Sequence, residues 1–235
     1  MITKKTIDNN FDFQAGEILL VDKPRGWTSF KAVKEIRNFI KVKKVGHAGT
    51  LDPMATGLLI ICTGKKTKDI SSYQNLFKSY KGIISLGKTT ASMDTETEII
   101  KEMPVDNLDD EKILLARNKF LGKINQIPPM YSALKVNGKP LYKLARQGKE
   151  IKREAREIEI YKFEITKIVL PDIWFEINCS RGTYIRSIAN DLGNELGCGG
   201  ILSDLRRTAI GEYSVDDAFP PEEFFEKFEI TEKNV

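Results

Sequence analysis

Two stretches of the chain carry residue types that can do chemistry together. The first is residues 46–64, Gly-His-Ala-Gly-Thr-Leu-Asp-Pro-Met-Ala-Thr-Gly-Leu-Leu-Ile-Ile-Cys-Thr-Gly, which hold the only histidine of the chain, His47, and a single acid, Asp52. Pro53 fixes its own φ and pushes Asp52 out of the helical region, while Gly46, Gly49 and Gly57 let a partner approach the main chain closely. A carboxylate on such a turn, just ahead of the apolar run from Leu58 to Cys62, is placed to act as a nucleophile or a base. Asp-Pro after a glycine turn is also ordinary turn chemistry, and spacing alone does not separate the two.

The second stretch is Ser180-Arg181-Gly182-Thr183, a sharp turn into a helix whose apolar stripe is Ile185, Ile188, Ala189, Leu192 and Leu196. That spacing puts Tyr184 and Arg186 in the first helical turn, where free N–H groups favour negative charge. An arginine there is badly placed for the helix dipole. It either serves a neighbouring carboxylate or phosphate or is a plain surface residue.

The elements around these stretches follow from patterning. Residues 17–22 read as a short buried strand, Lys23-Pro24-Arg25-Gly26 as a turn, and Thr28 or Ser29 as the cap of a helix with Phe30, Val33, Ile36 and Ile40 on one face. Strands are expected at 58–62, 80–86, 131–136, 157–170, 173–179 and within 202–215. Helices are expected at 65–77, from Asn107 or Asp109 to Gly122 with Ile113, Leu114, Phe120 and Leu121 apolar, at 141–147, and at 221–227. Asn137-Gly138 is a favoured hairpin turn, and the polar segment 88–107 reads as irregular and mobile. Strands joined by both hairpins and helices indicate an α/β (α+β) fold with a large sheet.

The 235 residues are enough for one large domain or two small ones, and 41% hydrophobic with 30% charged residues is ordinary globular composition. The sequence holds no 18-residue apolar run and no signal-type N-terminus, so a cytoplasmic protein is expected, without a membrane segment. Cys62, Cys179 and Cys198 lack metal-ligand spacing, and with one histidine neither a metal centre nor a disulfide framework is expected. The net charge is only +4, yet residues 31–44 set six basic side chains against Glu35, and 139–156 set seven against Glu150 and Glu154. Acids concentrate in 94–111 and beyond 216. This segregation suggests a polyanion-facing side, although either segment alone is also what a solvated charged helix face looks like.

Four motifs together resemble the TruB family of bacterial tRNA pseudouridine-55 synthases. They are Leu20-Val-Asp-Lys-Pro-Arg-Gly, Gly46-His-Ala-Gly-Thr-Leu-Asp-Pro-Met-Ala-Thr-Gly, Pro129-Met-Tyr-Ser-Ala-Leu-Lys and Ser180-Arg-Gly-Thr-Tyr-Ile-Arg-Ser, and the likeness runs from about residue 17 to about 215. The resemblance implies a pseudouridine-synthase fold, with a large mixed, mostly antiparallel sheet flanked by helices and loops. It implies an isomerase without cofactor or metal that acts on the T stem-loop of tRNA, detaching uracil from ribose and rejoining it through carbon. By position in the motifs, Asp52 is the catalytic carboxylate and Arg186 the arginine that pairs with it. Tyr80 stacks on the target base and serves proton transfer, Tyr184 orients the site, and His47 holds flipped-out loop nucleotides. Lys23 gives structural support or touches RNA, and Asp94 and Leu205 join the substrate-binding set. The base must leave its stack, at about a few kcal/mol, which stacking on an aromatic ring, about 1–3 kcal/mol per base, offsets.

The chain departs from the family in two places. Thr90-Ala-Ser-Met-Asp-Thr-Glu-Thr keeps Asp94, but Ala91 and Thr97 replace an acid and a glycine. Longer relatives carry a C-terminal RNA-binding domain of the PUA type, whereas the expectation here is one catalytic domain over residues 1–235 with a short helical tail. RNA binding is then expected to be weaker and strongly salt-dependent, and the chain to be monomeric. The alternatives are a tRNA-binding folding chaperone and a pseudouridine synthase acting on another RNA stem-loop.

Overall fold

The computed structural model describes residues 1–6, 11–136 and 138–233. The chain divides into two compact units, Met1–Tyr80 with Leu205–Val235 and Lys81–Asp204.

The first unit begins with β1 (Ile18–Lys23), followed by α1 (Ser29–Ile40). Thr28 caps α1, its hydroxyl accepting from the Lys31 N–H at 3.0 Å. The helix buries Ser29, Ala32, Val33 and Ile36, so Val33 and Ile36 of the expected face are inside. Phe30, expected inside, is 69% exposed, because Ser29 is drawn inward by two hydrogen bonds to Leu51 and sets the rotation of the helix. A three-residue strand, β2 (Val45–His47), precedes the Asp52 loop and β3 (Thr56–Thr63) follows it. A 3₁₀ turn (Gly64–Asp69) and α2 (Ile70–Asn75) occupy the weakly patterned stretch and lead into β4 (Lys78–Leu86).

In the second unit the segment expected to be irregular is a hairpin, β5 (Lys88–Thr90) with β6 (Ile99–Glu102). Its sequence hid this because Ile99 and Ile100 are both exposed and leave no alternation. Next come α3 (Asp110–Asn118), capped by Asp109, and β7 (Gly122–Gln126), a polar strand with no sequence signal. α3 buries Ile113 and Ala116, while Leu114 and the nearby Leu121 stay exposed. The strand expected at 131–136 shrinks to β8 (Lys135–Val136), paired with β9 (Lys139–Pro140). Asn137 of the expected turn lies outside the described residues. α4 (Leu141–Ala145), β10 (Arg156–Val169), β11 (Asp172–Cys179), α5 (Ile185–Glu195) and β12 (Gly200–Ile210) complete this part of the chain. Edge-to-face rings of Phe120, Phe163 and Phe175 knit its core.

β13 (Tyr213–Ser214), a 3₁₀ turn (Val215–Asp217) and α6 (Pro221–Lys233) close the first unit. There Phe219 and Phe224 join Leu19, Val21, Ile36, Leu59 and Ile61 in one apolar cluster. Cys62, Cys179 and Cys198 are all buried.

The hydrogen-bonded strand order is β1-β3-β12-β4-β11-β10-β7, with β2 on β3 and β13 on β12. The pairs β1–β3, β2–β3, β10–β11, β10–β7 and β12–β13 are antiparallel, and β12–β3 is parallel. The expected mixed, mostly antiparallel sheet with helices is therefore present. Among the described residues no helix is long and apolar enough to cross a membrane, and no cluster of three or more metal-ligating side chains occurs.

Candidate active site

Asp52 lies in the loop between β2 and β3, and its two neighbours are fastened to the segment that starts α1. The Leu51 N–H donates to Ser29 Oγ at 2.8 Å, the Ser29 hydroxyl donates to the Leu51 carbonyl at 3.2 Å, and the Gly26 N–H donates to the Pro53 carbonyl at 2.8 Å. A turn bond from the Ala55 N–H to the Asp52 carbonyl at 3.1 Å tightens the far side. Asp52 is therefore held between clamped residues.

Arg207 on β12 fixes the approach to this loop and was not singled out from sequence. Its guanidinium is 1% exposed and donates from Nε to the Leu58 carbonyl at 2.7 Å, from Nη2 to Gly49 at 3.1 Å and from Nη1 to Thr50 at 3.5 Å. Burial lowers its pKa, while the adjoining Tyr80 hydroxyl, hydrogen-bonded to it, pulls the other way. Tyr80 itself is 9% exposed on β4. The parallel pairing of Arg207 with Gly57 brings the strands so close that a Cβ at Gly57 would sit 2.3 Å from the Arg207 carbonyl oxygen, and Gly57 has φ +104°. Glycine is required there on both counts. The sequence clue was a pair of adjacent arginines inside a strand-like stretch, Leu202 to Ile210. The other member, Arg206, forms a forked ion pair with Asp22, at 3.0 and 2.7 Å.

Lys23 is fully buried, its ammonium donating to the Pro24 carbonyl at 2.9 Å and the Trp27 carbonyl at 2.7 Å. Burial holds it down to about 8, with the Asp52 carboxylate opposing that shift and Arg207 and Arg25 adding to it. His47 is half-buried, and burial, together with the Arg207 charge, lowers its pKa against an opposing main-chain contact at Gly49. The imidazole is thus neutral at physiological pH, and its buried Nδ1 meets no hydrogen-bonding partner in the structure. Leu205 is buried on β12.

The remaining expected residues lie in the second unit. Arg186 is 4% exposed in the first turn of α5, donating from Nη1 to the Ser92 carbonyl at 3.0 Å and from Nη2 to the Tyr131 carbonyl at 2.7 Å. Its Nε lies 3.5 Å from Oδ2 of Asp94, which is fully buried. The Asp94 Oδ1 accepts from Ser92 Oγ at 2.5 Å and from the Glu96 N–H at 2.8 Å. The carboxylate thus anchors the β5–β6 hairpin and faces the arginine at once. Tyr184 is not in the first turn as expected but is the N-cap, with extended φ and ψ. Gln126 of β7 brackets it, accepting from its N–H at 2.8 Å and donating to its carbonyl at 3.0 Å. This buried glutamine, which nothing in the local sequence marked, fixes where α5 begins.

The fold is shared with chains of known structure. A chain of a Cbf5-Nop10-Gar1 complex matches with a TM-score of 0.70 and 27% identity, over 92% of this chain and 59% of that one. A chain of an H/ACA ribonucleoprotein bound to a substrate RNA containing 2′-deoxyuridine matches with a TM-score of 0.72 and 24% identity, over 94% and 56%. Residues 37–185 match the model of the TruB family pseudouridylate synthase N-terminal domain, and residues 186–233 that of the tRNA pseudouridylate synthase B C-terminal domain. Proteins called tRNA pseudouridine synthase B are 53% identical over 210 residues in Chlorobaculum tepidum and 50% identical over 217 residues in Chloroherpeton thalassium. The matches cover 87% of this chain and 88% of the first relative, and 90% of both chains for the second. The chain belongs to the TruB family of pseudouridylate synthases.

Proposed function

We propose that the protein is a tRNA pseudouridine synthase that isomerises the T-loop uridine at position 55, with Asp52 as its catalytic carboxylate. Family membership and the names of the near-full-length relatives support the reaction class. The observation that carries Asp52 is its mounting: Leu51 and Pro53 are both clamped to the start of α1, and a buried cation, Lys23, stands within electrostatic reach. In the reaction the bond from ribose to N1 of uracil is replaced by one to C5, and the proton on C5 moves away. The atoms balance within the substrate, so the protein supplies only a reactive carboxylate, proton transfer and binding.

The target base leaves its stack to reach Asp52. His47 enters this reading through the family resemblance, as the residue that holds displaced loop nucleotides. Tyr80, locked against Arg207, presents a ring for stacking and a hydroxyl for proton transfer. Arg186, Tyr184, Asp94 and Leu205 enter this reading through the family resemblance. The enzyme works as a cytoplasmic monomer on the T stem-loop.

The test is pseudouridine formation in a T-arm stem-loop transcript by wild type and Asp52→Asn. Turnover by wild type, with a loss of at least about 10³-fold in the variant and unchanged RNA binding, is the expected result. Equal turnover by both proteins removes Asp52 from the chemistry. Binding without turnover by wild type points to the chaperone.

A further inference from the structure

We propose that the basic cavity at the C-terminal end of α1 is a docking site for a backbone phosphate of the substrate RNA, away from the Asp52 loop. This rests on the reading of the protein as an RNA-modifying enzyme. The cavity, of about 410 Å³, is lined by Arg37, Asn38, Lys41, Val42 and Lys43. Val42 is buried, while the three cations and Asn38 are exposed.

Several exposed lysines hold acids: Lys81 with Glu176 at 2.8 Å, Lys119 with Glu195 at 2.5 Å, and Lys162 with Glu164 at 2.6 Å. Among the described residues Arg37, Lys41 and Lys43 take part in no ion pair, and Glu35 is the only acid in residues 31–44. Three uncompensated cations around one concavity raise the local positive potential and select an anion. The planar fork of Arg37 matches the phosphate oxygens and the lysines add point charge.

The backbone at Lys41 agrees. It is the C-cap of α1 at φ 54° and ψ 34°, the left-handed region, and it is one of two non-glycine residues with positive φ among the described residues. Glycine is the residue that region favours. A lysine held there gives up local stability for a charge at the rim of the cavity. α1 also links this site to the catalytic loop. Ser29 at its start is bonded to Leu51, and Lys31, Lys34 and Arg37 are exposed along it, so the cavity lies about 15 Å along the helix from Lys31. An RNA strand leaving the loop and following α1 meets these charges in turn.

The test compares wild type, Arg37→Gln/Lys41→Gln/Lys43→Gln and the single variant Lys41→Gly, using a full-length tRNA transcript. The triple variant is expected to raise KM several-fold with kcat unchanged, and to flatten the slope of log affinity against log salt by about 0.7–0.9 for each phosphate that the cations no longer neutralise. Lys41→Gly is expected to raise Tm while weakening RNA binding, which a merely structural lysine would not do. Unchanged KM and salt slope in the triple variant, with wild type turning over normally, overturn the inference and leave the proposed function standing. A wild type that neither binds nor converts RNA overturns both. Competition by low-millimolar inorganic phosphate at constant ionic strength, relieved in the triple variant but without change in its RNA affinity, assigns the cavity to free phosphate and also overturns it.

Discussion

Replacing Arg207 with methionine tests whether the Asp52 loop owes its placement to a side chain on a strand remote in sequence. Methionine keeps the unbranched stem but is shorter, and it removes the donors to Leu58 at 2.7 Å and Gly49 at 3.1 Å, the two well-formed bonds, and the longer bond to Thr50 at 3.5 Å. A charge-assisted hydrogen bond contributes about 1.5–3 kcal/mol, so the two good ones sum to about 3–6 kcal/mol. Against this, the variant no longer keeps a guanidinium out of water, a penalty of about several kcal/mol in a low-dielectric site. The offset leaves a net destabilisation of about 0–3 kcal/mol, a fall in Tm of at most about 10 °C for a chain of this size. Activity falls further than stability does. Loss of the Gly49 and Thr50 anchors frees the loop that carries Asp52, and a displacement of about 1 Å at reacting groups costs about 10²-fold in kcat. Urea denaturation and single-turnover pseudouridine formation, run on the same preparations well below Tm, separate the two effects. Arg207→Lys restores charge but not the fork, so it recovers Tm in part and kcat little. A variant with wild-type kcat and a lowered Tm would refute the reasoning, because Arg207 would then stabilise the fold without placing the loop.

Lys23 gives a pH signature with opposite signs in activity and stability. With its ammonium held down to about 8 from 10.5, raising the pH through 8 removes a positive charge near Asp52, and activity falls by about tenfold per pH unit above that point. The unfolded chain keeps that proton up to 10.5, so between about 8 and 10.5 this group's contribution to folding stability rises with pH. Lys23→Met removes the alkaline limb and the stability slope together; an unchanged pH profile in that variant excludes Lys23 as their source. Asp94→Ala removes the buried carboxylate that faces Arg186 and costs about 3–5 kcal/mol in urea denaturation. Adding Arg186→Met costs less than the sum of the single changes, and additivity within about 0.5 kcal/mol counts against a coupled pair.

The parts legible in the sequence were those whose signal is local. Glycines and a proline marked the Asp52 turn, Thr28 the cap of α1, and a full apolar stripe α5. The family motifs added site residues that local patterning would have left as turn and surface chemistry. What stayed hidden depends on partners far along the chain. β7 has four of five residues at least partly exposed, so it carries no alternation, and Ile99 and Ile100 both face water. Phe30 followed the helical period but lost its place to Ser29, whose hydroxyl has two main-chain partners 22 residues away. Arg207 and Gln126 carry no motif. Each is a buried polar side chain whose partners lie 58 to 158 residues away, at Gly49 for the arginine and Tyr184 for the glutamine.

Those hidden partners share a physical logic. Three buried cations of the first unit, Lys23, Lys78 and Arg207, direct donors at main-chain carbonyls: Pro24 and Trp27 for the first lysine, Gln74 and Leu76 for the second, and Gly49, Thr50 and Leu58 for the arginine. A carbonyl accepts a hydrogen bond without cancelling the charge that makes it. Each cation therefore fixes a loop and still lends its positive field to the surroundings, which a closed ion pair does far less. The Arg206–Asp22 fork does the opposite work nearby: it is neutral as a pair and 41% exposed on the arginine side, so it ties strand to strand while adding little field. In the same stretch of β12, Arg206 thus ties strands while adding little field, and Arg207 fixes a loop and supplies field. This explains why two adjacent arginines, alike in sequence, are not interchangeable. Exchanging Arg206 for glutamine removes a partly exposed bond, whereas the same exchange at Arg207 withdraws both the loop's anchor and a charge that acts on its surroundings.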